Sequence, residues 1–271
     1  MERIRLILSD IDGTILDQHH QLDGRLKKNL NLLTQRDIPF CLASARSPQG
    51  IRPIQEALEL DAPLVAYNGA LIGRFEDEEF QVLQEIPIEA ADVETLIQMI
   101  RRYCPDVSIG LYAGTNWHVA QDSPWIELEA SITGETPLLT DFEEFLAQRP
   151  VVHKFLMIGE ELDISRLLTY LEEQDLPDIA CYLSKANYLE ITNRSVSKGH
   201  ALELLAGLYS LSIEQTLAFG DHFNDVSMLE IAGVGVAMGN APKAVQEVAD
   251  AVTETSSHQG VSLYLEEFVL Q

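Results

Sequence analysis

Two aspartates follow the first apolar run of the chain. The run from Ile4 to Leu8 leads into Asp10-Ile11-Asp12-Gly13-Thr14, where the two carboxylates are two residues apart. On a strand such a pair shares one side, and Gly13 allows the chain to curl where the strand ends. Active sites of open α/β sheets form at the carboxyl ends of strands. The segment is therefore a candidate for acid, base or nucleophilic chemistry, although a polar turn would have the same composition.

A second acidic cluster follows a later apolar run. The run from Thr216 to Phe219 leads into Gly220-Asp221-His222-Phe223-Asn224-Asp225, at the start of a helical pattern. Asn and Asp are also natural helix N-caps, so capping alone would account for them. If both runs are strands of one parallel sheet, their carboxylates converge, and such oxygen ligands suit Mg²⁺ better than zinc or copper. We therefore predict a magnesium site.

Other polar side chains lie at the ends of predicted elements. Ser44 and Arg46 follow the apolar run from Phe40 to Ala43, Asn68 follows another such run, and Lys198 precedes a helical pattern. Taken singly, each has an ordinary structural explanation as a cap, a turn or a solvated side chain. Their order along the chain, together with the two acidic clusters, favours one shared site.

The elements that carry these residues alternate between buried strands and amphipathic helices. Short apolar runs recur near residues 4, 40, 64, 216 and 234, and leucines at 22, 26, 30 and 33 form one helical stripe. This alternation predicts a parallel α/β sheet covered on both faces. The middle of the chain instead has strand patterns near helical patterns, as in an α+β module. We therefore predict a discontinuous α/β core at residues 1–82 and 188–271, with an α+β domain at 83–187 inserted into it.

The composition of the chain limits which classes of binding partner and which cellular compartment we expect. The chain has 271 residues with 46% hydrophobic and 23% charged side chains, enough for two moderate cores of ordinary globular composition. Acidic residues number 43 against 18 Lys and Arg, and the formal charge of −25 disfavours binding to nucleic acids or anionic membranes. Cys41, Cys104 and Cys181 are widely spaced, and the N-terminal apolar run is too short for a signal segment. We expect reduced thiols, a cytoplasmic location and no membrane or nucleic-acid partner.

The motifs resemble those of the haloacid dehalogenase (HAD) superfamily of phosphohydrolases, in particular its Cof-type branch. Asp10 to Thr14 matches the first motif, Ser44 the second, Lys198 the third, and Gly220 to Asp225 the GDxxND form of the fourth. The match covers the whole chain and departs at Ala45, where relatives commonly have glycine. The resemblance implies a Rossmann-like core with an inserted α+β cap that closes over the active site and selects the substrate.

A mechanism is also implied by the resemblance. Asp10 would attack phosphorus and form an aspartyl phosphate. Asp12 would protonate the leaving alcohol and then activate water against the phosphoenzyme. Mg²⁺ would be held by Asp10, the backbone carbonyl of Asp12 and Asp221.

The remaining motif residues would assist this reaction by the same resemblance. Lys198 would neutralise both Asp10 and the charge that develops on the phosphoryl group, and Ser44 would donate a hydrogen bond to a phosphoryl oxygen. Asp225 would orient Lys198 or a metal-bound water, and Asn224 would lie close to the metal or the phosphate. Arg46 and Asn68 would contact the substrate.

The function predicted is therefore Mg²⁺-dependent hydrolysis of a small phosphate monoester. A phosphomutase of the same superfamily would keep the same motifs, so the motifs leave that alternative open. A non-catalytic protein that senses a phosphorylated metabolite is the alternative from a different class, and the presence of both Asp10 and Asp12 argues against it. Sugar phosphates, pyridoxal phosphate, nucleotides and flavin mononucleotide all remain open as substrates.

Overall fold

The computed structural model describes residues 4–271. The expectation that no signal segment is present rests partly on the start of the chain at Met1, which lies outside these residues. In chain order the strands are β1 (Leu6–Asp10), β2 (Phe40–Ala43), β3 (Leu64–Ala66), β4 (Leu71–Glu76), β5 (Glu79–Glu85), β6 (Ser108–Ala113), β7 (Asn116–Val119), β8 (Leu138–Leu139), β9 (Lys154–Ile158), β10 (Ile179–Lys185), β11 (Tyr188–Asn193), β12 (Thr216–Gly220), β13 (Val234–Ala237) and β14 (Ala251–Val252).

The helices lie between these strands. They are α1 (Leu26–Thr34), α2 (Pro48–Leu58), α3 (Ala90–Tyr103), α4 (Pro124–Thr133), α5 (Phe142–Ala147), α6 (Glu161–Glu172), α7 (Lys198–Leu208), α8 (Val226–Ile231), α9 (Lys243–Gln246) and α10 (Gly260–Tyr264). A π-helical turn, Leu265–Val269, follows α10 directly. Within residues 4–271 no helix has both the length and the apolar composition needed to cross a bilayer.

The chain divides into two compact units. The core unit contains the residues up to Arg46, Ile51–Gln84 and Ser197–Gln271, and the inserted unit contains Ser47–Gly50 and Glu85–Val196. The first predicted junction, at 82–83, is close to the observed one at 84–85. The second differs, because the sequence places the junction at 187–188 and the inserted unit continues to residue 196.

The displaced junction has a simple physical origin. Strand β11 pairs antiparallel with β10 and β9, so it belongs to the sheet of the inserted unit. The segment 184–187, directly before the predicted junction, contains the tight turn that joins β10 to β11. A polar hairpin turn and a short domain linker have the same composition, and only the long-range pairing of β11 distinguishes them.

An eight-stranded sheet forms the centre of the core unit. Its strand order is β14-β13-β12-β1-β2-β3-β4-β5. Strand β1 pairs parallel with β2 and with β12, whereas β4 runs antiparallel to β3. Residues of β1, β2, β3, β12 and β13 are buried, as expected for strands with both faces covered. The parallel-dominated sheet confirms the predicted fold class.

The inserted unit has its own sheet and its own hydrophobic core. Its six strands are ordered β10-β11-β9-β6-β7-β8 and are mostly antiparallel. Helices α3 and α6 contribute Leu96, Ile100 and Leu167 to a buried cluster that also contains Phe155 and Met157 of β9. A separate core of this kind is what an independent α+β module requires.

Candidate active site

Four neighbouring strands of the core sheet bring the predicted segments together. These strands are neighbours in the order β12-β1-β2-β3, and each pairs in parallel with the next. Their carboxyl ends therefore meet at one edge of the sheet. Asp10 ends β1, Ser44 follows β2, Asn68 follows β3 and Asp221 follows β12. Motifs that are far apart in the sequence thus lie together at one edge of the sheet.

Lys198 is buried at the centre of this location. It is the first residue of α7, and the N-cap side chain of Ser197 accepts a hydrogen bond from the backbone N–H of His200. The Lys198 ammonium has no exposed surface and lies 2.5 Å from Asp10 Oδ1 and 2.6 Å from Asp225 Oδ1. The ammonium of Lys198, from the third motif, therefore links Asp10 of the first motif to Asp225 of the fourth.

The second oxygen of Asp225 shapes the loop that follows β12. Asp225 Oδ2 accepts hydrogen bonds from the backbone N–H groups of Asp221 and His222, at 2.8 and 2.9 Å. A Cβ at Gly220 would collide with the Asp225 side chain, so glycine is needed where this carboxylate folds back. Both oxygens of Asp225 are engaged, one by Lys198 and one by the loop backbone.

Asp221 is held from both sides by the loops around it. Its Oδ1 lies 3.4 Å from the hydroxyl of Thr14, and its Oδ2 accepts a 3.1 Å hydrogen bond from the Asn240 side-chain amide. Gly13 has a φ of +86°, and a Cβ there would collide with Asp221 Oδ2. Gly13 of the first motif therefore leaves the space that the Asp221 side chain of the fourth motif occupies.

The carboxylates outnumber the ammonium in this cluster. Oxygens of Asp10, Asp221 and Asp225 lie within 4.8 Å of one another, and the one ammonium of Lys198 contacts two of these three carboxylates. Burial raises the pKa of Asp10 to about 8, with Lys198 opposing the shift and Asp225 and Asp221 adding to it. Burial likewise raises the pKa of Asp221 to about 6, and Asp225 adds to this shift.

Lys198 responds to the same excess of negative charge. Burial lowers its pKa, but the attraction of Asp10 and Asp225 outweighs burial and raises the pKa above its ordinary value. Crowded acidic oxygens with a surplus negative charge fit a hard divalent cation. Asp225 is fully buried and its carboxylate accepts three hydrogen bonds, whereas Asp10 and Asp221 accept fewer, so Asp10 and Asp221 are the side chains best placed to ligate such an ion.

Asp12 has a different partner from Asp10. Arg46 donates from Nε to Asp12 Oδ2 at 2.9 Å and from its terminal nitrogen to Asp12 Oδ1 at 2.6 Å. The Asp12 side chain is 45% exposed. The sequence predicts that Arg46 contacts the substrate, whereas in the structure its guanidinium binds Asp12. His20, to which the sequence assigns no role, has Nδ1 3.8 Å from Asp12 Oδ1.

Ser44, Asn68 and Asn224 complete the set of predicted residues. The buried Ser44 hydroxyl accepts a hydrogen bond from the backbone N–H of Arg46, and the Ser44 carbonyl accepts one from the backbone N–H of Asn68. Asn68 has a φ of +57°, a left-handed conformation that Asn tolerates. The Asn224 amide donates to Asn68 Oδ1 at 3.1 Å. These amides therefore lie together beside the strand ends.

Asn240 is a site residue that sequence reasoning misses. From the sequence alone, Gly239-Asn240 is predicted to be a simple turn before a helix that begins near Pro242. An asparagine in a turn has no spacing that distinguishes it from other turn residues, so no sequence signal points to Asp221.

Known proteins resemble this chain over nearly its full length. A family model described as haloacid dehalogenase-like hydrolase matches residues 7–265. A protein of Haemophilus influenzae with the name "Putative phosphatase" is 34% identical over 264 residues, which is 97% of either chain. The 5-amino-6-(5-phospho-D-ribitylamino)uracil phosphatase YitU of Bacillus subtilis is 25% identical over 279 residues, again 97% of either chain.

A solved structure agrees with these sequence relatives. The crystal structure of a haloacid dehalogenase-like hydrolase from Bacteroides thetaiotaomicron superposes with a TM-score of 0.86 at 28% identity. The match covers 97% of this chain and 99% of that one. The chain belongs to the haloacid dehalogenase-like hydrolases, the family that its motifs predict.

Proposed function

We propose that this hydrolase is a Mg²⁺-dependent phosphatase that cleaves small phosphate monoesters through an aspartyl-phosphate intermediate. The observation that carries the proposal is the buried contact between Lys198 and Asp10, with Asp221 beside them. It offers a carboxylate nucleophile, a fixed positive charge and a second acidic ligand at one strand end. The phosphatase names of the two sequence relatives support this reaction type.

In the first step, an oxygen of Asp10 attacks phosphorus in line with the ester oxygen. The phosphorus–ester bond breaks as the bond to Asp10 forms, and Asp12 gives a proton to the departing alcohol. Lys198 balances the charge around Asp10 and the phosphoryl group. Held by Asp10, Asp221 and the backbone carbonyl of Asp12, Mg²⁺ would supply the positive charge that lets a carboxylate approach an anionic ester.

In the second step, Asp12 takes a proton from water, and the water oxygen attacks the phosphorus of the phosphoenzyme. Inorganic phosphate leaves and the Asp10 carboxylate is regenerated. The Arg46 guanidinium donates hydrogen bonds to both carboxylate oxygens of Asp12 and so fixes the orientation of this group. Each Asp12 oxygen keeps a second lone pair beside its hydrogen bond from Arg46, and this lone pair can take the proton that the first step requires.

The remaining residues have proposed roles around the phosphate and the substrate. Ser44 and Asn224 would donate hydrogen bonds to phosphoryl oxygens, Asn68 would contact the substrate, and Asp225 would orient Lys198. We also propose that the inserted unit is the cap that selects the leaving alcohol. The three free cysteines support the cytoplasm as the proposed compartment.

The decisive experiment traps the intermediate. Full-length protein is mixed with a ³²P-labelled phosphate monoester and Mg²⁺, quenched in acid and digested. We expect label on the peptide that contains Asp10, none in Asp10→Asn, and release of inorganic phosphate by the unmodified protein. Turnover that persists in EDTA would overturn the metal assignment, and label on another residue would overturn the nucleophile.

Substrate choice is tested separately. A panel of sugar phosphates, pyridoxal phosphate, nucleotides and flavin mononucleotide is assayed for release of inorganic phosphate. A phosphatase releases phosphate from at least one ester with loss of the ester. Quantitative recovery of an isomeric ester instead would identify the phosphomutase alternative, because the phosphoryl group then returns to the same carbon skeleton.

A further inference from the structure

Asn240 joins three separate parts of the core unit through one side chain. It lies in the loop after β13 and is exposed. Its Nδ2 donates to the carbonyl of Gly13 at 2.9 Å and to Asp221 Oδ2 at 3.1 Å. Its Oδ1 accepts from the backbone N–H of Ser256 at 2.9 Å. The loop of the first motif, the acid of the fourth and the C-terminal segment therefore meet at this amide.

The partners leave a single orientation for this amide. The Gly13 carbonyl and the Asp221 carboxylate can only accept, whereas the Ser256 N–H can only donate. The NH₂ group must therefore face Asp221, and the amide oxygen must face Ser256. With one Asp221 oxygen tied to Asn240 and the other near Thr14, the carboxylate has little freedom to rotate.

The loop backbone does not depend on the Asn240 side chain. The Gly239 N–H donates to the carbonyl of Glu254, and the Ala241 N–H donates to the carbonyl of Met238. The Gln246 amide donates to the carbonyls of both Gly239 and Ala241, at 3.2 and 3.0 Å. Residues on either side of Asn240 are thus fixed independently, which leaves its side chain available for a task other than holding the loop.

We infer that Asn240 is a positioning residue for the divalent cation, because it fixes the rotation of the Asp221 carboxylate. The inference rests on the proposed function, in which Asp221 ligates Mg²⁺. A metal-ligating carboxylate that loses its hydrogen bond to a neighbouring protein group is no longer held in the orientation that the metal needs. Metal binding must then restrict its rotation, so the affinity for the metal falls. Loss of this one hydrogen-bond partner should weaken metal affinity by about tenfold.

Direct metal binding tests this role without using activity. Free Mn²⁺, which takes the same octahedral oxygen ligands, is titrated into full-length protein and followed by electron paramagnetic resonance. Asn240→Ala and Asn240→Ser are compared with Gln246→Ala, which removes hydrogen bonds to the carbonyls on either side of Asn240 but none to Asp221.

We expect both Asn240 variants to bind Mn²⁺ about tenfold more weakly and Gln246→Ala to stay within about twofold of the unmodified protein. Adding Mg²⁺ should raise the melting temperature less in the Asn240 variants than in Gln246→Ala and the unmodified protein. Equal weakening in Gln246→Ala, or unchanged affinity in both Asn240 variants, would overturn the inference. An unmodified protein that binds no Mn²⁺, or Asp221→Asn that binds it normally, would instead overturn the metal site of the proposed function.

Discussion

Two buried lysines, one in each unit, are paired in different ways. Lys198 contacts Asp10 and Asp225 with Asp221 beside them, so carboxylates are in excess. Lys154 of β9 lies 3.2 Å from Glu190 of β11, whose carboxylate also accepts a hydrogen bond from the Tyr182 hydroxyl. The Lys154 ammonium also lies 4.8 Å from the centre of the Tyr112 ring.

The difference separates a site from a structural contact. A lysine and a glutamate that face each other on paired strands compensate each other's charge, and burial makes it costly to remove either partner alone. A cluster with surplus carboxylates is compensated only in part, and it gains from an added cation or an added proton. Charge balance, and not burial of a lysine, therefore distinguishes the region where we expect chemistry.

The largest expected effect is on turnover when each lysine is replaced by methionine. Lys198→Met should lower turnover of an aryl phosphate by about 10³-fold, because the reacting groups lose a preorganised charge. Lys154→Met should stay within about tenfold, since its partner Glu190 belongs to another cluster. Steady-state kinetics at saturating Mg²⁺ make the comparison. Equal losses in the two variants would remove the distinction between the clusters.

A smaller effect is expected at Asp12, which is close to the Lys198 cluster but paired with Arg46. Asp12→Asn should lower steady-state turnover by about 10²-fold and slow the second step more than the first. A p-nitrophenyl leaving group needs little protonation, so rapid mixing should show a burst of nitrophenol near one equivalent, then slow turnover. An alkyl phosphate should show no burst. Equal slowing of both steps for either ester would contradict the acid–base role.

Sequence reasoning identified the acids of the site because their positions follow from local structure. Asp10 ends a fully buried strand and Asp221 follows another, and adjacent parallel strands must bring such ends together. The ammonium of Lys198 was recognisable only from its place in the order of the motifs and from the family resemblance, since a lone lysine before a helix has no local signature.

What the sequence could not predict depends on contacts between distant segments. The hydrogen bonds from Arg46 to Asp12 and from Asn240 to Asp221 join residues in different loops, and neither pair has a periodic pattern. The second domain junction was misplaced for the same reason, because the pairing of β11 with β9 decides it. Local propensity predicts elements well, whereas partners across a sheet need the fold itself.

A moderate effect is expected on the pH dependence of stability without metal. The folded-state pKa of Asp10, about 8, lies above its unfolded value, so between the two values only the folded state retains the proton. Raising the pH through this window should therefore destabilise the fold, by at most about 1.4 kcal/mol per pH unit for one linked proton. The slope should flatten above pH 8. Asp221, with a pKa of about 6, adds to the slope in its lower part.

Thermal melting in buffers from acid to alkaline pH measures this slope, with EDTA present. Asp10→Asn serves as the matched variant, and its melting temperature should depend less on pH. Mg²⁺ binds the ionised carboxylates, so it should stabilise the unmodified protein more at high pH than at low pH. An unchanged slope in Asp10→Asn would mean that the proton uptake lies elsewhere.

The smallest expected effect, within about 1 kcal/mol of unfolding free energy, is that of replacing both members of the Lys154–Glu190 pair in the inserted unit. Lys154→Met alone should cost about 3–5 kcal/mol of unfolding free energy, because it leaves the buried Glu190 without its ammonium. The double replacement Lys154→Met/Glu190→Leu should return to within about 1 kcal/mol of the unmodified protein, since both desolvated charges are then removed. Urea unfolding followed by tryptophan fluorescence reports on this unit, because both tryptophans, Trp117 and Trp125, lie in it. If the double variant were as unstable as the single one, Lys154 and Glu190 would be more than a self-compensated pair, and the contrast with Lys198 would need another basis.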